Sequence, residues 1–143
     1  KQLALYLTMY SPLQMVCDLP ENYERFPDAF QFIRDVPVDW ADTRWLEGEP
    51  GDFITVARRD KISDDWYVGA ITDENPRTAV VNLDFLPAGK YEATIYEDGR
   101  DASFDKNPQS YRIRRVNVTE KSKLKLNLGR GGGAAVRIVK RAK

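Results

Sequence analysis

The chain has 143 residues, 42 % of them hydrophobic and 31 % charged, a composition that fits one globular domain with its own core. Lys plus Arg and Asp plus Glu both number 22, so no excess positive charge draws it toward nucleic acid or an anionic membrane surface. Histidine is absent, which removes the commonest general base, the Ser–His and Cys–His nucleophile pairs and the commonest transition-metal ligand.

Chain order begins with KQLALYLTMY. Leu3 to Tyr10 reads as a helix rich in good helix formers, with Leu3 and Leu7, and Tyr6 and Tyr10, each spaced i, i+4. Apolar on two faces, such a helix expects cover on more than one side. Ser11-Pro12 ends it. No small-residue cleavage pattern of a signal peptide follows, and Pro12, Gln14 and Asp18 interrupt the run well short of the roughly 20 apolar residues that span a bilayer. The lone Cys17 makes no internal disulfide and, between Val16 and Leu19, reads as a small buried hydrophobe. Asp18 and Glu21 have the spacing of a capping box, and a further short helix is expected from Pro27, with Phe26, Phe30 and Ile33 on one face.

From Thr43 the period changes to two, broken by turn residues. Eight strands are expected, in TRWLEG, DFITVARR, DDWYVGAITD, RTAVVNLDFL, KYEATIYEDG, SYRIRRVNV, KLKLNLG and GAAVRIVKR. In KLKLNL, Leu124, Leu126 and Leu128 alternate with Lys123, Lys125 and Asn127, the mark of a half-buried antiparallel strand. In SYRIRRVNV, Tyr111 and Ile113 share one parity and Val116 and Val118 the other, so a β-bulge is expected at Arg114 or Arg115. No helical pattern separates the strands. The expected fold is mainly β, an antiparallel β-sandwich of about eight strands preceded by one or two short helices.

Four constellations invite chemistry. Asp64 and Asp65 are adjacent, but neighbouring strand residues point to opposite faces and do not converge as a glycosidase pair would. Gly129 to Ala135 lacks the GK[ST] ending of a phosphate loop and leads into a strand, so it reads as a turn or a close backbone approach. Asp98, Asp101 and Asp105 surround a glycine without EF-hand spacing, and turn chemistry explains them better than calcium. Trp40, Trp45, Trp66 and Tyr67 sit in or beside strands; Trp66, Tyr67 and Trp45 are the candidates for stacking on sugar rings. Trp66 and Tyr67 point oppositely, so one of them at most is expected to face the core.

YSPLQMVCDLPENYE near the start, SDDWYVGAITDENPRTAVVNLDFL in the middle and RGGGAAVRI near the end together resemble the C-terminal region of glycoside hydrolase family 97, in order and over essentially the whole chain. The resemblance implies a three-part parent: an N-terminal β-sandwich, a central (β/α)8 barrel and a smaller C-terminal β-sandwich. It implies hydrolysis of α-linked glucosides or galactosides by calcium-assisted carboxylates, inverting in some members and retaining in others. Residues 1–42 would then be the helical end of the barrel plus a connection, and residues 43–143 the terminal sandwich. The family's catalytic glutamates and calcium ligands lie upstream, so no catalytic residue, metal ligand or cofactor is expected in this chain. The resemblance makes the chain a non-catalytic support for the barrel, with a periplasmic or cell-envelope home. The alternatives are a carbohydrate-binding sandwich for α-linked oligosaccharide, and a module that self-associates as a homodimer through its apolar N-terminal helix. That helix is expected either to drive dimerisation or to fold back over its own sandwich.

Overall fold

A computed structural model describes residues 1–16 and 18–141; the reading of Cys17 lies outside the described residues. Three short helices lead: α1 (Gln2–Thr8), α2 (Pro20–Tyr23) and α3 (Pro27–Asp35). Eight strands follow: β1 (Trp40–Glu49), β2 (Phe53–Asp60), β3 (Trp66–Thr72), β4 (Arg77–Asn82), β5 (Tyr91–Asp98), β6 (Tyr111–Val118), β7 (Lys123–Leu128) and β8 (Gly133–Lys140). All eight expected strands form. The expected capping box does not: Leu19 is the N-cap of α2, Pro20 takes the first helical position, and the Asp18 carboxylate accepts from the Leu19 amide and the Asn22 side chain. Proline at that position needs no amide partner, which leaves Asp18 free to bond locally.

Every strand pair is antiparallel. Six strands form one sheet in the order β1-β2-β3-β8-β5-β6, and β4 pairs with β7 in a second, two-stranded sheet. The small sheet covers one face of the large one. Between them Leu83, Leu124, Leu126 and Leu128 pack against Ala57, Val68, Ile95, Val136 and Ile138. The other face is covered by helices: Leu7 of α1 and Phe32 of α3 pack with Val56, Tyr67, Tyr96 and Ala135. Of the two expectations for the apolar N-terminal helix, α1 takes the second and lies across its own sheet, mostly on β3, with Ala4 and Leu7 buried.

Two-sided burial explains where alternation misleads. The expected β-bulge at Arg114 or Arg115 is absent: β5 and β6 stay in register from Tyr91 opposite Val118 to Asp98 opposite Tyr111. Val116 and Val118 pack into the sheet–sheet core, whereas Ile113 packs with the helix-side cluster, so the parity change marks a change of covering layer within a straight strand. Trp66 and Tyr67 point oppositely as expected, yet both are buried, 3 % and 2 % exposed, one in each core. Register irregularities occur instead on the edge strand β1, between Trp40 and Asp42 and between Trp45 and Glu47. The opposite edge, β6, is straight and carries Arg112, Arg114 and Arg115.

Gly69 lets α1 come close. A Cβ there would stand 2.7 Å from Leu7 Cβ and 3.0 Å from the Ala4 carbonyl oxygen, neither of which is a flexible tip. Gly69→Ala is therefore expected to lift α1 and destabilise the fold by about 1–3 kcal/mol, the usual range for overpacking. Urea denaturation followed by tryptophan fluorescence measures it.

Candidate functional site

Of the three candidate sugar-stacking residues, the structure brings none together. Trp66 stacks obliquely on Phe85 at 4.8 Å between the sheets. Tyr67 lies edge-on to Trp40 and Phe32, and its hydroxyl donates to the Asp35 carbonyl at 2.9 Å, tying α3 to the large sheet. Burial pushes the Tyr67 phenol far above its ordinary pKa. Trp45 alone offers a ring to solvent, 68 % exposed on β1.

The carboxylates that folding draws inward meet cations and amides of the fold. Glu97 and Asp98 are neighbours on β5 and therefore serve opposite faces. On the sheet side, Glu97 Oε1 accepts from Arg112 Nε at 2.8 Å and Arg114 Nε at 2.7 Å, while Oε2 accepts from the Asn127 amide at 2.8 Å. One acid thus links β5, β6 and β7, and so the two sheets. On the helix side, Asp98 Oδ2 accepts from the Gly129 and Gly133 amides, both at 2.8 Å. A Cβ on Gly132 would fall 1.8 Å from that oxygen, so the glycine run is a close backbone approach, as its sequence suggests. Sequence reasoning read Asp98 as a turn residue and gave Glu97, near the end of the expected strand KYEATIYEDG, no role. The missed signal is that Glu97 stands in phase with Tyr91, Ala93 and Ile95, an acid at an inward position.

Asp35 and Asp65 share Arg137, at 2.7 and 3.1 Å, while Asp64 lies 3.9 Å from Arg59, so the adjacent aspartates face different partners. Asp101 bonds the Ser110 hydroxyl and Asn107, and Asp105 bonds Ser103, so neither turns toward Asp98. Among the described residues no group of three His, Cys, Asp or Glu side chains is placed to hold a metal ion such as the calcium that the resemblance implies for the parent.

Two surfaces remain. One is the α1–α2 connection, where Met9, Tyr10, Leu13, Met15, Val16 and Leu19 are all exposed. Tyr10 lies under the Arg58 guanidinium, 5.0 Å from its ring centre; Arg58 donates to the Leu7 carbonyl and to Thr43 Oγ1, which ties the start of this stretch to β1 and β2. The other is a cleft of about 540 Å³ between α3, the β5–β6 loop and the glycine run.

A family model described as glycosyl-hydrolase 97 C-terminal, oligomerisation, matches residues 39–139. The chain belongs to the glycosyl hydrolase 97 C-terminal family. It is 39 % identical over 138 residues to a retaining α-galactosidase of Bacteroides thetaiotaomicron, a match spanning 96 % of this chain and 20 % of that enzyme. It superposes with TM-score 0.95 and 48 % identity on a glycoside hydrolase family 97 enzyme from a Pseudoalteromonas species in complex with acarbose, over 99 % of this chain and 22 % of that one. A β-arabinopyranosidase matches with TM-score 0.76 at 25 % identity, over 95 % of this chain and 20 % of that one. The chain therefore spans about one fifth of the length of these relatives.

Glu97→Gln keeps the shape and removes the charge that Arg112 and Arg114 share. With the acid fully buried but both arginines partly exposed, the expected loss is about 1–3 kcal/mol, below that of a fully buried pair. Urea titration of both proteins, in low and in molar salt, measures it, and the gap is expected to narrow with salt.

Proposed function

We propose that this chain is the non-catalytic support and assembly surface of an α-glycoside hydrolase whose catalytic barrel lies upstream. The carrying observation is that Met9, Tyr10, Leu13, Met15, Val16 and Leu19 are all exposed: several large apolar side chains left in solvent on one connection mark a place of association. The family's description as an oligomerisation domain supports contact with a second copy, and the share of the relatives' length that lies outside this chain supports contact with the barrel. On this reading residues 1–42 are the end of the barrel and the connection. The parent cleaves α-galactosidic or α-glucosidic bonds, a reading supported by the name of the Bacteroides relative and by the acarbose and panose complexes of the Pseudoalteromonas enzyme. The resemblance also supports a periplasmic or cell-envelope home.

The purified chain is expected to leave p-nitrophenyl α-galactoside and α-glucoside uncleaved, and steady turnover would overturn the reading. Sedimentation is expected to show concentration-dependent assembly that the pair Leu13→Glu and Met15→Glu abolishes. An unchanged distribution would remove this stretch from the interface.

The exposed ring of Trp45 favours a second reading, a stacking platform for α-linked oligosaccharide. Saturable quenching of tryptophan fluorescence by maltose- or melibiose-type sugars, lost in Trp45→Ala, is then expected. A flat trace to millimolar sugar speaks against it.

A further inference from the structure

Beyond the two surfaces above, the helix-covered face of the large sheet carries a polar hollow. Beside the last turn of α3 lies a cavity of about 350 Å³ over β5, β6 and β8. Strand register builds its floor. Thr94 of β5 stands opposite Arg115 of β6 on one side and Arg137 of β8 on the other, so three side chains cross the sheet in one row. Residues two apart on a strand share a face, which places Tyr96 at one end of the floor, against Phe32 of α3, and Glu92 at the other. Gln31 and Asp35 of α3 form a wall, and Arg141 stands beside Glu92.

Some of these groups are occupied within the fold. Arg137 is held by Asp35 and Asp65, Arg141 donates to Glu92 Oε2 at 2.6 Å, and the Gln31 amide donates to Asp35 Oδ1 at 2.8 Å. Others are not. Among the described residues, the Arg115 guanidinium and the hydroxyls of Thr94 and Tyr96 have no hydrogen-bond partner, and Oε1 of Glu92 and of Gln31 accept from nothing. Tyr96 weighs most, because only 8 % of it is exposed. Burial raises its pKa, and the charges acting on its phenol are led by Asp35, Arg115 and Arg137. Its ring also borders the apolar cleft, but those three groups line this cavity and not that one. A phenol set so deep ordinarily has a hydrogen-bond partner, and here the open place for one is the cavity.

The unclaimed atoms select the ligand. A bare anion could take up Arg115, Thr94 and Tyr96 as donors, but it would also face the carboxylates of Glu92 and Asp35. A ligand hydroxyl both donates and accepts. A ring that bears several of them finds Arg115 as donor, Glu92 and Gln31 as acceptors, and two protein hydroxyls that serve as either. Arg115, Arg137 and Arg141 stand against Asp35, Asp65 and Glu92, so no net charge favours an ion. The volume lies near the lower end of ligand cavities, which suits one sugar ring better than a long segment.

We propose that this cavity is a non-catalytic site for one pyranose residue of an α-linked saccharide, bound by Arg115, Thr94, Tyr96, Glu92 and Gln31. The α-linkage rests on the reading of the parent as an α-glycoside hydrolase, whereas the demand for a polyhydroxylated ring rests on the side chains alone. The site is separate from the Trp45 platform, which lies on β1 at the opposite edge of the sheet.

Amide NMR of the protein titrated with methyl α-galactoside, with methyl α-glucoside and with sodium acetate tests it. Saturable shifts at Thr94, Arg115 and Arg137 are expected from at least one glycoside, with the dissociation constant raised at least tenfold by Arg115→Ala and by Tyr96→Phe. Tyr96→Phe removes only an unpartnered oxygen and keeps the ring in the core, so its spectrum away from the cavity is expected to stay that of the folded protein. Shifts confined to the surroundings of Trp45 would overturn the site and move sugar binding to β1. A response to acetate without one to either sugar would make it an anion site and overturn the proposal, as would no response at all. The reading of the parent is decided apart from this: a parent that cleaves p-nitrophenyl α-galactoside or α-glucoside while the cavity stays silent loses the site alone. A parent that cleaves neither overturns the α-linkage whatever the cavity binds.

Discussion

Everything in this domain follows from one requirement: a six-stranded sheet with apolar residues on both faces needs cover on both. The chain supplies two strands, β4 and β7, for one face and a few short helices for the other. Seven-residue helices have little stability of their own, since nucleation costs more than so few hydrogen bonds return. α1 is therefore held by contact. Gly69 permits backbone-to-backbone approach, Arg58 holds the Leu7 carbonyl and Lys1 Nζ reaches the Thr72 carbonyl. α3 is held the same way, by Phe32 in the core and by the Tyr67 hydroxyl on the Asp35 carbonyl.

β5 is the strand on which the layers meet. Its last two residues are acids, and the pleat sends them in opposite directions, Glu97 to the arginines of β6 and the backbone of β7, Asp98 to the amides of the glycine turn before β8. Each carboxylate satisfies groups that would otherwise be left without partners once water is excluded. That positions the β5–β6 loop and the glycine run, and with them the walls of the cleft.

How much of this was legible depends on how many faces each strand buries. KLKLNL alternates because β7 has water on its outer face, and its register could be read directly. WYVGAIT does not alternate, because β3 is covered on both sides, so the rule that puts one of Trp66 and Tyr67 outside fails. The parity change in YRIRRVNV misled for the same reason: a one-core picture needs a bulge there, and a two-core structure does not. The family, the strand count and the close approach in GRGGGAA were all readable from the residues. The roles of Glu97 and Asp98 were not read, because Glu97-Asp98-Gly99 has the composition of a hairpin turn. Nor did the sequence reveal that the stripe Phe26, Phe30, Ile33 would face an opening rather than the core, since periodicity defines a face without naming what lies opposite.

The two borders of the large sheet differ in kind. β1 departs from regular pairing twice, at Trp40/Asp42 and Trp45/Glu47, and β6 is straight but studded with guanidinium groups. A neighbouring strand would find an uneven ladder on the first border and a row of like charges on the second if it came from another copy of β6. Growth by adding strand to strand is thereby discouraged, which leaves side-chain surfaces to any contact between copies. A closed assembly of finite size can form in this way at high local concentration without seeding an open-ended β-stacked fibre.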